Sequence, residues 1–68
     1  MFIELTFSSN GKSAYLSIDK ILYIVEKCDG AGTSIAVEGE ENILNFKENI
    51  KDVMGRIRSI SGRTNANN

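Results

Sequence analysis

Hydrophobic and polar residues alternate at the start of the chain. Residues 2–7 read F-I-E-L-T-F, which places Ile3, Leu5 and Phe7 on one side of an extended backbone. A period of two residues is typical of a strand with one buried face. The Asn10-Gly11 pair then predicts a hairpin with a type I′ turn, in which both central residues have positive φ.

The second strand returns over residues 12–17, with Tyr15 on its more polar face, and a short polar connection follows. The third strand, residues 21–27, reads I-L-Y-I-V-E-K and is apolar on both faces, with Tyr23 and Val25 on one of them. Strands that are covered on both sides have this composition. We therefore expect the third strand to be the centre of the sheet.

Two further strands are predicted before the pattern changes. A loop with Gly30 and Gly32, both available for positive φ, precedes a fourth strand over residues 33–38. A turn over residues 39–42 leads to a short fifth strand at residues 43–44. Connections of this length join neighbouring antiparallel strands.

The period then becomes 3.6 residues, which predicts a helix. Its apolar stripe consists of Phe46, Ile50, Val53, Met54 and Ile57. Asn45 is the predicted N-cap, and Glu48 three residues later completes a capping box. Gly62 offers an end to the helix, and we expect residues 61–68 to be a flexible polar tail.

Strands first and one helix last define an α+β fold. We predict an antiparallel β-meander of four or five strands, with the C-terminal amphipathic helix packed on one sheet face, as a single domain over residues 1–60. One helix covers one face. The other face, which includes Tyr15, Tyr23 and Val25, is then the expected interface with a partner, since it would otherwise expose a large apolar patch.

Composition strengthens the expectation of a partner. A chain of 68 residues buries only about 60% of its unfolded surface, so small domains are commonly reinforced by disulfides, a metal or oligomerisation. This chain has one cysteine, Cys28, and no histidine, which excludes an internal disulfide and a histidine-bound metal. We therefore expect a homo-oligomer, in the simplest case a dimer, without a cofactor.

The charges are balanced, at eight Lys and Arg against nine Asp and Glu, so no global field attracts the chain to a membrane or to nucleic acid. The longest apolar run, Ile21 to Val25, is too short to span a membrane, and no signal sequence is evident. These features and the unpaired thiol of Cys28 predict a cytoplasmic protein.

Catalytic signatures are weak. Without histidine the chain has no Ser–His or Cys–His pair. Glu38, Glu40 and Glu41 form an acidic cluster, but their spacing does not match a calcium loop and is typical of a solvated turn. A small hydrolase that uses Glu38 or Glu41 is the third hypothesis. We expect no catalytic residue and no metal site, and therefore no enzyme.

Nucleic-acid binding is the alternative function, because basic residues concentrate in the last third of the chain. The candidate phosphate contacts are Lys51, Arg56, Arg58 and Arg63. Glu48 and Asp52 are interleaved with them, however, and no aromatic residues are clustered there for base stacking. A solvated helix face is the favoured interpretation.

Several ordered segments resemble one family. These are M-F-I-E-L-T-F, Asn10-Gly11, L-S-I-D-K-I-L-Y-I, the acidic-glycine hairpin and L-N-F-K-E-N-I-K-D-V-M-G-R-I. Together, over residues 1–58, they resemble the small FlbD family of bacterial flagellar and motility proteins. The resemblance implies a small, strand-rich cytoplasmic protein with an accessory or regulatory role exerted through contacts, and it implies no catalytic residues.

Two nucleic-acid-binding families share parts of this pattern. The third strand is similar to part of LytTR-type DNA-binding domains, and the start is similar to the RNA-binding CsrA dimer, but the concentrated arginines of such binders are missing. A phage-encoded or mobile-element protein fits equally well. The leading hypothesis is a non-enzymatic interaction module that associates with itself and with an unidentified protein partner.

Overall fold

The described residues form five antiparallel strands and one C-terminal helix, which confirms the predicted α+β class. The computed structural model describes residues 1–28 and 30–65, with side chains as far as residue 60. The elements are β1 (Phe2–Thr6), β2 (Ser13–Ser17), a 3-10 turn (Ile18–Lys20), β3 (Ile21–Glu26), β4 (Thr33–Val37), β5 (Leu44–Phe46) and α1 (Ile50–Asn65).

The strands form two sheets rather than one meander. Strands β1 and β2 pair with each other, and β3, β4 and β5 form a second sheet in that order. The meander is interrupted at the 3-10 turn, where the backbone leaves the extended conformation. The sheets meet instead between the end of β1 and β5, at a bridge between Phe7 and Phe46 and a 2.8 Å hydrogen bond from Lys47 N–H to the Thr6 carbonyl.

Strand β3 is an edge strand, so its expected central position was wrong. The short loops on either side of β4 return β3 and β5 to its two edges, which leaves β4 in the centre. The face of β3 that carries Tyr23 and Val25 is not covered by other described parts of the chain, since both side chains are exposed. A β-bulge lies between Ile21 and Tyr23.

The first hairpin is as predicted, but its turn is not type I′. The Phe7 N–H donates to the Lys12 carbonyl over 2.9 Å and the Gly11 N–H donates to the Phe7 carbonyl over 3.0 Å, so the loop has four residues. Gly11 has a φ of 72°, whereas no described non-glycine residue has positive φ. The side-chain oxygen of Asn10 accepts from the Lys12 N–H over 2.9 Å, which forms a local Asx turn inside the loop.

The core lies between the inward faces of the two sheets and one side of α1. Its buried apolar residues are Ile3, Leu5, Leu16, Ile35, Phe46 and Val53. The predicted alternation in β1 is confirmed, because Ile3 and Leu5 are buried whereas Phe2 and Glu4 are exposed. Burial of this apolar set is the main favourable contribution to folding.

Helix α1 begins four residues after the start of the predicted stripe. Phe46 belongs to β5 and is fully buried there, and Asn45 pairs with Ser34 of β4. The N-cap is Asn49, whose side-chain oxygen accepts from the Asp52 N–H over 2.9 Å. The predicted cap at Asn45 was therefore wrong, because strand pairing already engages that residue.

The helix continues past Gly62 to Asn65. A glycine inside a helix costs about 1 kcal/mol relative to alanine, and such a cost does not always end the helix. Residues 61–65 of the predicted flexible tail therefore have helical backbone, and residues 66–68 lie outside the described residues.

Candidate functional site

The outward side of the three-stranded sheet carries large, half-exposed apolar side chains. Tyr23 is opposite Ala36 and Val25 is opposite Ser34, and cross-strand partners share a face. We call this surface the outer face and define it by Tyr23, Val25, Ser34, Ala36, Ile43 and Asn45. Tyr23 is 50% exposed, and Val25 and Ile43 are each 48% exposed.

Register and side-chain contacts agree on this assignment. Asn45 pairs with Ser34, and the Ser34 hydroxyl donates to the Asn45 side-chain oxygen over 2.7 Å. Ile43 precedes Asn45 by two positions and therefore projects to the same side. Tyr23, Ala36 and Ile43 form an apolar row across the three strands, and in the next row Val25 lies beside the polar pair Ser34 and Asn45.

The predicted interface residues do not all lie together. Tyr23 and Val25 are on the same face of one strand, as expected. Tyr15 is 68% exposed but belongs to β2, opposite Glu4 in the other sheet. The structure therefore joins two of the three residues into one surface and assigns the third to a separate sheet.

The two ends of the outer face carry opposite charges. Lys27 continues the Tyr23 and Val25 alternation at the end of β3, where its N–H donates to the Gly32 carbonyl over 3.2 Å. Glu40 and Glu41 are exposed in the turn after β4, at the opposite end of the sheet. The outer face thus has Lys27 at one end and the two glutamates at the other.

The Lys27 side chain crosses Gly32. A Cβ placed on Gly32 would lie 3.2 Å from the Lys27 Cδ, so the stem of the lysine fills the space that a side chain would need. Lys27 is half-buried and lines a groove of about 370 Å³ together with Ser8, Ile43 and Asn45. The groove connects the basic end of the outer face to its apolar part.

Sequence reasoning did not single out Lys27, Ala36 or Ile43. The spacing of residues 23, 25 and 27 was sufficient to place Lys27 beside Tyr23 and Val25. Ile43 could not be assigned in this way, because the predicted fifth strand ended at residue 44 and its register with β4 was unknown. Ala36 is small and alternates with buried residues, so its pattern does not distinguish a surface from a core edge.

Of the candidate nucleic-acid contacts, Arg56 already interacts with other residues of the chain. Lys51 and Arg58 are exposed on α1. The Arg56 guanidinium donates to the Glu4 carbonyl, and its Nη1 atom lies 3.6 Å from the Glu48 Oε2 atom. The side chain of Arg63 lies outside the described residues. The structure therefore engages Arg56 within the fold.

Glu48 joins the two sheets and the helix. Its carboxylate accepts from the Thr6 N–H and from the Thr6 hydroxyl, each over 2.8 Å, and its carbonyl accepts from the Thr33 hydroxyl over 2.8 Å. Burial alone would raise the pKa of Glu48, but the hydrogen bonds from Thr6 and the charge of Arg56 lower it overall. Glu48 therefore has a structural role instead of the predicted capping role.

The other acidic residues that the structure describes are exposed. The Glu38 Oε1 atom lies 3.9 Å from the Lys20 Nζ atom, and the two side chains form a surface ion pair. Over residues 1–28 and 30–65, no group of three or more potential ligand residues is arranged to hold a metal ion. Nor is any described helix long and apolar enough to cross a membrane.

Comparison with protein-family models, curated proteins and solved structures finds no match to the chain. The resemblance to the FlbD family therefore stays a prediction from the sequence.

Proposed function

We propose that this chain is a small non-enzymatic accessory or regulatory protein that acts by self-association and by contacts with other proteins. The observation that carries the proposal is the outer face, where Tyr23, Val25 and Ile43 are each about half exposed. Soluble monomers rarely leave contiguous apolar patches uncovered, and such patches are typical of interaction surfaces.

The composition of the outer face fits a protein interface. Tyrosine is enriched at the centre of interfaces because its ring buries a large area and its hydroxyl can still form a hydrogen bond. The Ser34 hydroxyl and the Asn45 side-chain oxygen already form a hydrogen bond with each other. A partner that covered them would therefore not leave these two groups without a hydrogen bond. The short chain also supports this proposal, because a partner would add buried apolar area to a small core.

Light scattering coupled to size exclusion tests the self-association. We expect the wild type to be a dimer at micromolar concentration, and Tyr23→Lys or Val25→Lys to be monomeric. Tyr15→Lys is the matched control, since it places the same charge on an exposed tyrosine of the other sheet. A wild type that stays monomeric at about 100 µM, well above the Kd of an ordinary stable dimer, contradicts self-association.

Affinity capture tests the contact with a different protein. Tagged wild type and tagged Tyr23→Lys are each incubated with lysate, with and without nuclease. We expect one protein to be retained by the wild type regardless of nuclease and to be lost with Tyr23→Lys. Retention that Tyr23→Lys does not change would contradict the role of the outer face.

The resemblance extends the proposal to a cellular setting. Members of the FlbD family are flagellar and motility proteins, and the segments over residues 1–58 support a cytoplasmic accessory role of that kind. Deletion of the gene in its host, followed by a swarming assay and complementation with wild type or Tyr23→Lys, tests this setting. If deletion left motility unchanged, the proposed role in motility would be contradicted.

Nucleic-acid binding remains the second candidate, supported by the exposure of Lys51 and Arg58 on α1. It predicts a gel shift at low salt that weakens steeply as salt rises, because cations are released from each contacted phosphate. The paired variant Lys51→Glu/Arg58→Glu should then abolish the shift. Absence of any shift at about 50 mM salt ends this candidate.

A further inference from the structure

The opposite charges at the ends of the outer face are arranged so that one copy of the chain complements another. Lys27 is at the loop end of the sheet, and Glu40 and Glu41 are at the turn end. Strand β4, Thr33–Val37, lies between them and spans about 17 Å at 3.4 Å for each residue. A two-fold rotation that reverses the strand direction brings each acidic turn over the basic end of the other copy.

These charges have no competing contacts in the described part of the chain. Neither Lys27 nor the carboxylates of Glu40 and Glu41 form an ion pair there, whereas Glu38 is engaged by Lys20. The stem of Lys27 crosses Gly32, and Lys27 lines the groove together with Asn45. The acidic turn also joins β4 to β5, so the two charged groups lie at opposite strand ends but at similar positions across the sheet.

We propose that a second copy of this chain covers the outer face, sheet against sheet and with antiparallel strands, so that Glu40 and Glu41 of each copy contact Lys27 of the other. The inference rests on the proposed function and specifies the partner and geometry of the same site. Tyr23 and Val25 of both copies form the apolar part of the interface. The two-fold axis lies in the interface and runs across the strands.

Packing between faces is favoured over pairing between β3 edges. The bulge between Ile21 and Tyr23 interrupts the regular spacing of the β3 backbone groups, and bulges at sheet edges oppose continuous pairing with another strand. Edge pairing would also leave Ala36 and Ile43 uncovered, because β4 and β5 lie away from that edge. Face packing covers all three strands.

Charge reversal tests the proposal. Lys27→Glu makes both ends of the outer face acidic, and Glu40→Lys/Glu41→Lys makes both ends basic. We expect each variant alone to dimerise about tenfold more weakly, since two attractive contacts become repulsive in every dimer. An equimolar mixture should form heterodimers with at least wild-type affinity, because an acidic face then meets a basic face.

Sedimentation velocity at low salt measures these affinities, with circular dichroism to verify folding. Lys51→Glu is the matched control, because it makes the same change in net charge on the helix, and it should dimerise like the wild type. Ala36→Lys separates the two geometries, since it should break face packing but leave edge pairing of β3 intact.

Three outcomes overturn the proposal. If Ala36→Lys dimerises with wild-type affinity, face packing is excluded and edge pairing is favoured. The proposed self-association is not contradicted by that result. Charge-reversed variants that dimerise like the wild type, or whose mixture forms no heterodimers, exclude the antiparallel arrangement and also leave self-association standing. A monomeric wild type instead contradicts the self-association on which the inference rests.

Discussion

Gly32 occupies a position where a side chain does not fit. A Cβ there would lie 2.6 Å from the Phe46 carbonyl oxygen, and the residue has a φ of 131°. We expect Gly32→Ala to lower the free energy of unfolding by about 2 kcal/mol, because the backbone of β5 must shift or the residue must leave its conformation. Urea denaturation measures this loss.

The matched substitution is Gly55→Ala in α1. Nothing lies within 4 Å of a Cβ built on Gly55. Alanine stabilises a helix interior by about 0.5–1 kcal/mol relative to glycine, so this variant should be more stable than the wild type. Equal effects of the two substitutions would contradict the close approach of Gly32 to Phe46.

Glu48 should make the domain sensitive to acid. Burial opposes ionisation, but the hydrogen bonds from Thr6 and the charge of Arg56 hold the pKa of Glu48 below its ordinary value, so the folded state binds the proton less readily than the unfolded state. The resulting stabilisation is present above the unfolded pKa and is lost as the pH falls through the lowered folded pKa. We expect the free energy of unfolding to fall across that acidic window.

Glu48→Gln tests the origin of this acid sensitivity. At pH 7 it should lower the free energy of unfolding by about 1–2 kcal/mol, because a neutral amide accepts more weakly from Thr6 and loses the attraction to Arg56. The difference from the wild type should shrink as the pH falls. Glu41→Gln is the control, since Glu41 is exposed in a turn. If both variants lost the same free energy of unfolding, the contacts of Glu48 with Thr6 and Arg56 would not be the cause.

At the scale of the elements, the start of α1 can be tested directly. Asn49→Ala removes the side-chain acceptor for the Asp52 N–H and should lower the free energy of unfolding by about 1 kcal/mol. Asn45→Ala loses only an exposed bond to Ser34 and should cost about 0.5 kcal/mol or less. Urea denaturation compares the two variants, and a larger loss for Asn45→Ala would contradict the observed cap.

The helical pattern identified α1 but not its first residue. Phe46 lies four positions before Ile50, so its spacing fits the helical stripe although it belongs to β5. Asn45 and Asn49 are both preferred N-cap residues, and local preference does not distinguish them. Pairing of β5 with β4 decided between them, and such pairing depends on contacts between distant residues.

The strand pattern predicted which residues alternate but not which strand is central. Ile3 and Leu5 were correctly placed in the core because one face of β1 is clearly polar. In β3 both faces are apolar, and this composition fits a buried central strand and an edge strand with a binding face equally well. The exposed Tyr23 and Val25 show that the apolar excess on β3 belongs to a surface.

At the scale of the whole molecule, the candidate surface depends on features that no single segment encodes. The outer face combines residues from β3, β4 and the approach to β5, and its charged ends come from two different loops. Sequence alternation placed Tyr23 beside Val25, but it could not place Ala36 or Ile43 next to them without the register of the sheet. The sequence therefore indicated an apolar excess on β3, whereas the extent of the outer face required the register of the sheet.

Folding and association should be coupled in so short a chain. If a second copy covers the outer face, dilution removes a contribution to stability, and the melting temperature must then depend on protein concentration. We expect the Tm of the wild type to rise by about 3–5 °C for each tenfold increase in concentration above the dimer Kd, given the small unfolding enthalpy of a domain of this size. Differential scanning calorimetry over two decades of concentration measures the shift. Tyr23→Lys should melt at one temperature throughout, whereas Tyr15→Lys should retain the dependence. A wild-type Tm that does not vary with concentration would mean that the outer face contributes nothing to the stability of the domain through self-association.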